Sequence, residues 1–181
     1  MCISAGNRGV IYTVNEEDII VDTIGVRLML VVHGPPKPQR RPSFRRRGGG
    51  RIQMYNPSSI EMNLMKNAIR GRLTSQAIYF RRDVPVKLSI VFFVPRPAAH
   101  FLGSRRTAEA ILPEWRGEIS HLGKPDLDNL IKFIMDVLNG IGYEDDNQVY
   151  KISSKKVYDN EGECRGRIGI DLKPKLIDLT I

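Results

Sequence analysis

The sequence predicts an α+β fold: a single domain in which a mixed β-sheet carries two main helices, in the order β-α-β-loop-α-β-β. Three observations lead there. Short β-branched and aromatic runs are interleaved with two segments of 3.6-residue apolar period. The 181 residues suit one domain, since a chain of that size buries roughly 70% of its unfolded surface. The composition, 41% apolar and 27% charged, is globular rather than disordered.

Residues 1–23 are polar with a β-like piece around Ile19 to Val21, and read as an N-terminal extension or edge strand. The domain proper spans 24–175, followed by a short tail at 176–181. Val26 to His33 (VRLMLVVH), bounded by Gly25 and Gly34, has the length of a buried strand. The following GPPKP excludes helix. Lys37 to Arg51 (KPQRRPSFRRRGGGR) is rich in Pro and Gly and predicts a mobile arm. Pro57 to Leu73 predicts a helix that starts near Ser58 or Ser59, with Ile60, Leu64 and Ala68 at helical spacing.

Val84 to Val94 is the strongest strand and belongs inside the sheet, stopped by Pro95 and Pro97. Residues 96–125 form a long connection with one short helical segment around Thr107 to Leu112. Within it, His100 and His121 read as surface or hydrogen-bonded residues and Trp115 as a packing anchor. Val149 to Tyr158 reads as a strand with Tyr150 and Ile152 on one face and Lys151, Ser153 and Lys155 on the other. Arg167 to Lys173 alternates in the same way, and the two are expected to pair as a hairpin.

Between the last long loop and the Val149 strand lies Lys124 to Gln148, KPDLDNLIKFIMDVLNGIGYEDDNQ, which packs five Asp and one Glu into 25 residues. Leu130, Phe133, Ile134, Val137 and Leu138 make an apolar helical stripe, with Asp128 the expected N-cap and Asn139–Gly140 the stop. Lys132 and Asp136 follow Asp128 at successive turns, off that stripe. Should the chain return beside the helix start, Asp126, Asp128 and Asp146 converge. Hard divalent cations take carboxylate oxygens, so these three are the candidate ligands for Mg²⁺, with Mn²⁺ the alternative. Asp145 is the adjacent acid that would share the role, and Lys132 is placed to meet a phosphate or the charge that develops on it. The blander account makes Asp128 a cap, pairs Asp136 with Lys132, and leaves residues 144–146 as a solvated turn.

The net charge of +8 points towards a polyanion. Seven basic residues and no acid fall between Lys37 and Arg51: Lys37, Arg40, Arg41, Arg45, Arg46, Arg47 and Arg51. Clustered charge of one sign suits a phosphate backbone, with Phe44 available to stack on a base. Lys124, Lys151 and Lys155 extend the DNA-binding set around the acidic block. Cys2 and Cys164 are too few for a disulfide framework or a cysteine zinc site. The first 25 residues lack an apolar signal core, and no apolar run is long enough to span a bilayer. A cytoplasmic protein without a membrane partner is expected.

KPDLDNLIK, then DVLNG, then DDNQV, with GPPKPQRR and VPRPAAH upstream, resembles the RusA family of Holliday junction resolvases over about residues 26–173. The resemblance implies a homodimeric, Mg²⁺-dependent endonuclease that nicks four-way DNA junctions symmetrically on two strands, in recombination and repair. By position it matches Asp126, Asp128 and Asp146 to the family's metal-binding aspartates and Lys132 to its essential lysine. Two other readings stand beside it: a broader nuclease for branched or flap DNA with the same site, and a non-catalytic basic DNA-binding protein whose acids are structural.

Overall fold

The computed structural model describes residues 11–22, 27–46, 48, 51–73 and 79–175. In chain order the elements are strands β1 (Ile19–Asp22), β2 (Arg27–His33), β3 (Ser43–Arg46) and β4 (Ile52–Tyr55), helix α1 (Ser59–Arg70), strand β5 (Val86–Val94), helix α2 (Leu127–Leu138), and strands β6 (Val149–Tyr158) and β7 (Arg167–Pro174). Five strands form one sheet in the order β1-β2-β7-β5-β6, and β3 pairs with β4 as a separate ribbon. In the main sheet β5 and β6 run parallel, from Val86 opposite Val149 to Val94 opposite Tyr158, while the other pairings are antiparallel.

The parallel pair explains the position of α2. Parallel neighbours cannot be joined by a tight turn and need a crossover. Here α2 is that crossover, and its sequence suits the task. Leu130, Phe133, Ile134, Val137 and Leu138 are fully buried against the sheet. They meet Leu88, Ile90 and Phe92 of β5 and Ile168, Ile170 and Leu172 of β7, all in one core cluster. Gly140 ends the helix at φ +74°, a conformation that costs glycine nothing. Gly142 allows a close approach, since a Cβ there would sit 2.7 Å from Leu172 Cδ1.

Four expectations are corrected. The strands β6 and β7 do not form a hairpin: β7 inserts between β2 and β5, pairing Ile170 with both Leu30 and Ile90. Apolar alternation fixes which face a strand buries, but not which neighbour it pairs with. The basic arm contains the β3–β4 ribbon, and the N-terminal segment adds β1 to the sheet, so the predicted element order omits three strands. On α1 the buried residues are Met65 and Ile69, with Met62 and Ala68 packed beside them, whereas Ile60 is 71% exposed and Leu64 43%. Two apolar stripes were available on that helix, and the Met62–Met65–Ile69 one faces α2 and the sheet. Finally, α2 begins one residue after Asp126, which is its N-cap, and Asp128 sits in the first turn.

Residues 96–125 are not loose. Three short 3-10 turns, Ala98–His100, Ala108–Ala110 and Pro113–Trp115, fold over a small satellite core of Phe101, Ile111 and Cys164. Buried Arg96 donates to the carbonyls of Asp159 and Gly117 and to Asn160 Oδ1, and bonds His100 Nδ1. His100 in turn stacks on Trp115, centroids 3.9 Å apart and planes 8° from parallel. No helix among the described residues is long and apolar enough to cross a membrane.

The core reading gives a direct test. Replacing Phe133 by Ala should cost about 3–5 kcal/mol, as for other fully buried aromatic truncations. A urea titration followed by circular dichroism measures it, and a loss below about 1 kcal/mol would contradict the packing.

Candidate active site

The polypeptide reaches the acidic helix along the outer edge of the sheet. Ser120 bridges Val157 of β6, His121 N–H donates to the Lys156 carbonyl, and Tyr158 N–H donates to that of Ile119. Lys156 Nζ then holds the carbonyls of Gly123 and Pro125, each at 2.6 Å. Those carbonyls immediately precede Asp126, so one ammonium fixes the entry into α2. The His121 ring packs edge-on against Tyr158, and burial followed by the Lys156 charge pushes its pKa down.

The exit from α2 is fixed by a side chain as well. Gln148 is buried, and its amide nitrogen donates to the carbonyls of Phe80, Arg81 and Val84. Its oxygen accepts from the N–H groups of Glu144 and Asp145, both at 2.9 Å. Asp145 completes a capping box by accepting from Asn147 N–H, and it also pairs with Arg82 at 3.1 Å. The Asn147 N–H foremost, then Asp146 and Arg82, holds the Asp145 carboxyl below the usual carboxylate range. Asp145 is thus occupied as a cap for the turn that presents Asp146.

The acids lie in a row rather than in a knot. Asp126 caps α2, exposed Asp128 lies in the first turn, exposed Lys132 one turn on, and Asp136 one turn beyond that. Burial pushes the Asp136 carboxyl up and Asp146 adds to this, while Lys132 and Lys66 of α1 act against it. Asp136, the helix acid whose carboxyl Asp146 influences, lies roughly 12 Å along the axis from Asp128. Burial, then Asp146 and Asp136, also pushes the Tyr143 phenol up, and its hydroxyl donates to the Met135 carbonyl. Among the described residues no three His, Cys, Asp or Glu side chains come close enough together to hold one ion. The expected convergence of Asp126, Asp128 and Asp146 is thus not met within one chain, because a crossover helix carries its entry and exit to opposite ends. None of the three forms an ion pair with a described Lys, Arg or His. Asp128 Oδ1 accepts a long hydrogen bond from the neighbouring Asn129 amide at 3.4 Å, and all three offer carboxylate oxygens that no described cation occupies, the donor type that a hard divalent ion takes.

The basic residues divide by face. Gln39 N–H donates to the Asn129 carbonyl at 2.8 Å, so the arm that carries Lys37, Arg40 and Arg41 is rooted on the first turn of α2. Arg45, Arg46 and Arg51 follow on the ribbon, all exposed, and Arg47 lies outside the described residues. Lys124 is exposed beside Asp126. Lys151 and Lys155 share the parity of Lys87 and Val91, the residues of β5 that face away from α2, and Lys155 pairs with Glu118. The arm and Lys124 are therefore nearer the acids than these two lysines. Sequence reading missed Lys156, Gln148, Lys66 and Arg82. A lysine on the inward parity of β6 and the D-x-x-Q capping pattern at Asp145–Gln148 were the available signals for the first two.

Replacing Gln148 by Ala strands buried N–H and carbonyl groups, at a cost of about 1–3 kcal/mol. Amide hydrogen exchange should accelerate first at Glu144 and Asp145, and unchanged protection there would refute the pinning role.

The endodeoxyribonuclease RusA family model matches residues 33–171. The crossover junction endodeoxyribonuclease rusA of Lactococcus phage r1t is 30% identical over 129 residues, covering 68% of this chain and 79% of that protein. The uncharacterized protein YqaN of Bacillus subtilis (strain 168) is 25% identical over 134 residues, 74% of this chain and 89% of its own. The matched span contains the ribbon, both helices and the whole acidic block, and so the chain belongs to the RusA family of endodeoxyribonucleases.

Proposed function

We propose that this endodeoxyribonuclease resolves four-way DNA junctions by paired, symmetric, Mg²⁺-dependent nicks and works as a homodimer. The observation that carries this reading is the row of unpaired acids on α2 and its exit turn, beside a basic arm, in a chain of the RusA family. The crossover-junction activity named for the phage relative is extended to this chain on that ground. Asp126, Asp128 and Asp146 are the residues assigned to hold the ion, with Mn²⁺ as a substitute. Such an ion, when bound, supplies an activated water and stabilises the leaving oxygen of a phosphodiester. Lys132, four residues after Asp128, neutralises charge on the scissile phosphate. Lys37, Arg40, Arg41, Arg45, Arg46, Arg51 and Lys124 contact phosphates and hold the strand against the acids.

The spread of the acids supports the dimer, as does the two-fold symmetry of a junction. Asp126 and Asp128 stand at one end of α2 and Asp146 near the other, so a two-fold related copy is the arrangement that joins them into complete sites. Exposed Tyr150 and Ile152 on the edge strand β6, close after Asp146, suit such a contact.

Two experiments test this. Asp128→Asn should lower cleavage of a synthetic four-way junction by at least about a hundredfold, the scale of losing one preorganised electrostatic group, while junction binding persists. Wild-type protein should give no product without divalent metal; metal-independent product or full activity of the variant refutes the assignment. Equal wild-type rates on junction, flap and linear duplex would instead favour the broader nuclease, and binding without any product the non-catalytic protein. In the second experiment, inactive Asp128→Asn and Asp146→Asn proteins are mixed after co-refolding. Shared sites predict recovery of single-strand nicking, because each heterodimer retains one site with Asp128 from one copy and Asp146 from the other. No recovery argues for sites built within one chain.

A further inference from the structure

The ribbon of β3 and β4 carries apolar side chains that no other part of the described chain covers. Phe44 is 72% exposed, Ile52 65% and Met54 63%. The register sets Phe44 opposite Met54 and Arg46 opposite Ile52, so these four share one face, while Arg45, Gln53, Ser43 and Tyr55 share the other. Three large apolar residues on two four-residue strands form a wet patch of the kind that marks an interaction surface.

The root and the charge of the ribbon identify the occupant. Gln39 is bonded to Asn129, next to Asp128, and Arg40 N–H donates to the hydroxyl of buried Ser58 at 2.9 Å. The segment that leads into the ribbon is therefore anchored beside the first turn of α2, four residues before Ser43. The stretch from Lys37 to Arg51 holds no acid, so the occupant is an anion rather than an acid-poor protein surface. A ribbon that reads a duplex groove presents polar side chains to base edges. This face offers Phe44, Ile52 and Met54, which complement the flat apolar faces of bases. Bases show those faces only where stacking is interrupted.

We propose that the Phe44–Ile52–Met54 face of the ribbon docks on unstacked bases at a DNA branch point, with Arg45, Arg46 and Arg51 on the flanking phosphates. The ribbon thereby sets the preference for branched over linear DNA. The inference rests on the nuclease function proposed above and adds the element that selects the substrate.

The test uses the full chain with EDTA present, so that nothing is cut. The probes are a synthetic four-way junction carrying 2-aminopurine at the base pairs flanking the crossing and a linear duplex of the same sequence. Wild-type protein should brighten 2-aminopurine in the junction. Phe44→Ala with Met54→Ala should abolish that rise and weaken junction binding about tenfold, the scale of a lost base-aromatic contact. Duplex affinity should stay within about twofold. Arg45→Ala with Arg46→Ala should weaken both DNAs and reduce the slope of log affinity against log salt by about two. An unchanged ratio of junction to duplex affinity with unchanged fluorescence in the apolar double variant overturns the inference. So does conversion of a wild-type dimer to monomer by that variant, since a second copy would then be the occupant. Wild-type cleavage of the junction in Mg²⁺ is scored separately. Cleavage with no ribbon effect sinks only this inference, and no cleavage sinks the proposed function first.

Discussion

The parallel pairing of β5 with β6 is the constraint from which the site follows. Two parallel neighbours require the chain to leave one end of the sheet and return to the other. The only long apolar helix pattern between them is Leu127–Leu138. Its five buried residues bind it to the sheet, and its polar side must then face outwards with Asp128, Lys132 and Asp136 in line. The entry delivers Asp126 and the exit delivers Asp146. A stable core thus dictates that the acids of this one segment are strung along the helix and its exit turn.

The two connections of this crossover are irregular backbone, and irregular backbone leaves carbonyl and N–H groups without regular partners. Polar side chains reaching from distant elements satisfy them. Lys156 does so for Gly123 and Pro125 at the entry, and Gln148 for residues 80, 81, 84, 144 and 145 at the exit. Arg96 does the same for the long loop that leads in. Each is charged or amide-bearing, and each holds two or more groups at once. The positions of the acids therefore depend on residues that take no part in binding an ion.

What was legible in the sequence was periodic. The bounds of Val149–Tyr158 and the α2 stripe could be read to the residue; the 3.6-residue alternation reports the buried face of the helix directly, whereas the strand's Tyr150 and Ile152 are exposed and of its residues only Val157 is buried. The strand partners of Arg167–Pro174 were not legible, since Ile168, Ile170 and Leu172 would bury equally well in a hairpin with β6 or between β2 and β5. Residues 37–51 read as an arm because Pro, Gly and Arg dominate them, and the strand pairing of Phe44 with Met54 depends on residues on both sides of the turn. On the site, the acids and Lys132 stood out as a charge anomaly. Lys156 and Gln148 did not, because their hydrogen-bond partners lie 31 to 33 and 64 to 68 residues away, apart from the near turn of Gln148.

The distribution of ion pairs separates the acids that serve the fold from those assigned to the proposed site. With 28 Lys and Arg against 20 Asp and Glu, cation is in excess. The half-buried Asp171 takes Arg27, buried Asp159 takes Arg167, and Asp145 takes Arg82. These pairings stitch β2 to β7, secure the turn after β6, and steady the exit from α2. Asp126, Asp128 and Asp146 take none, although Lys124, Lys132 and Lys66 lie on neighbouring positions or elements. Exposed ion pairs contribute little to stability, so leaving these acids unpaired costs the fold almost nothing. Under the proposed function, their negative charge would oppose the DNA phosphates that the basic arm attracts. A divalent cation held by these carboxylates would, under the same proposal, remove that conflict.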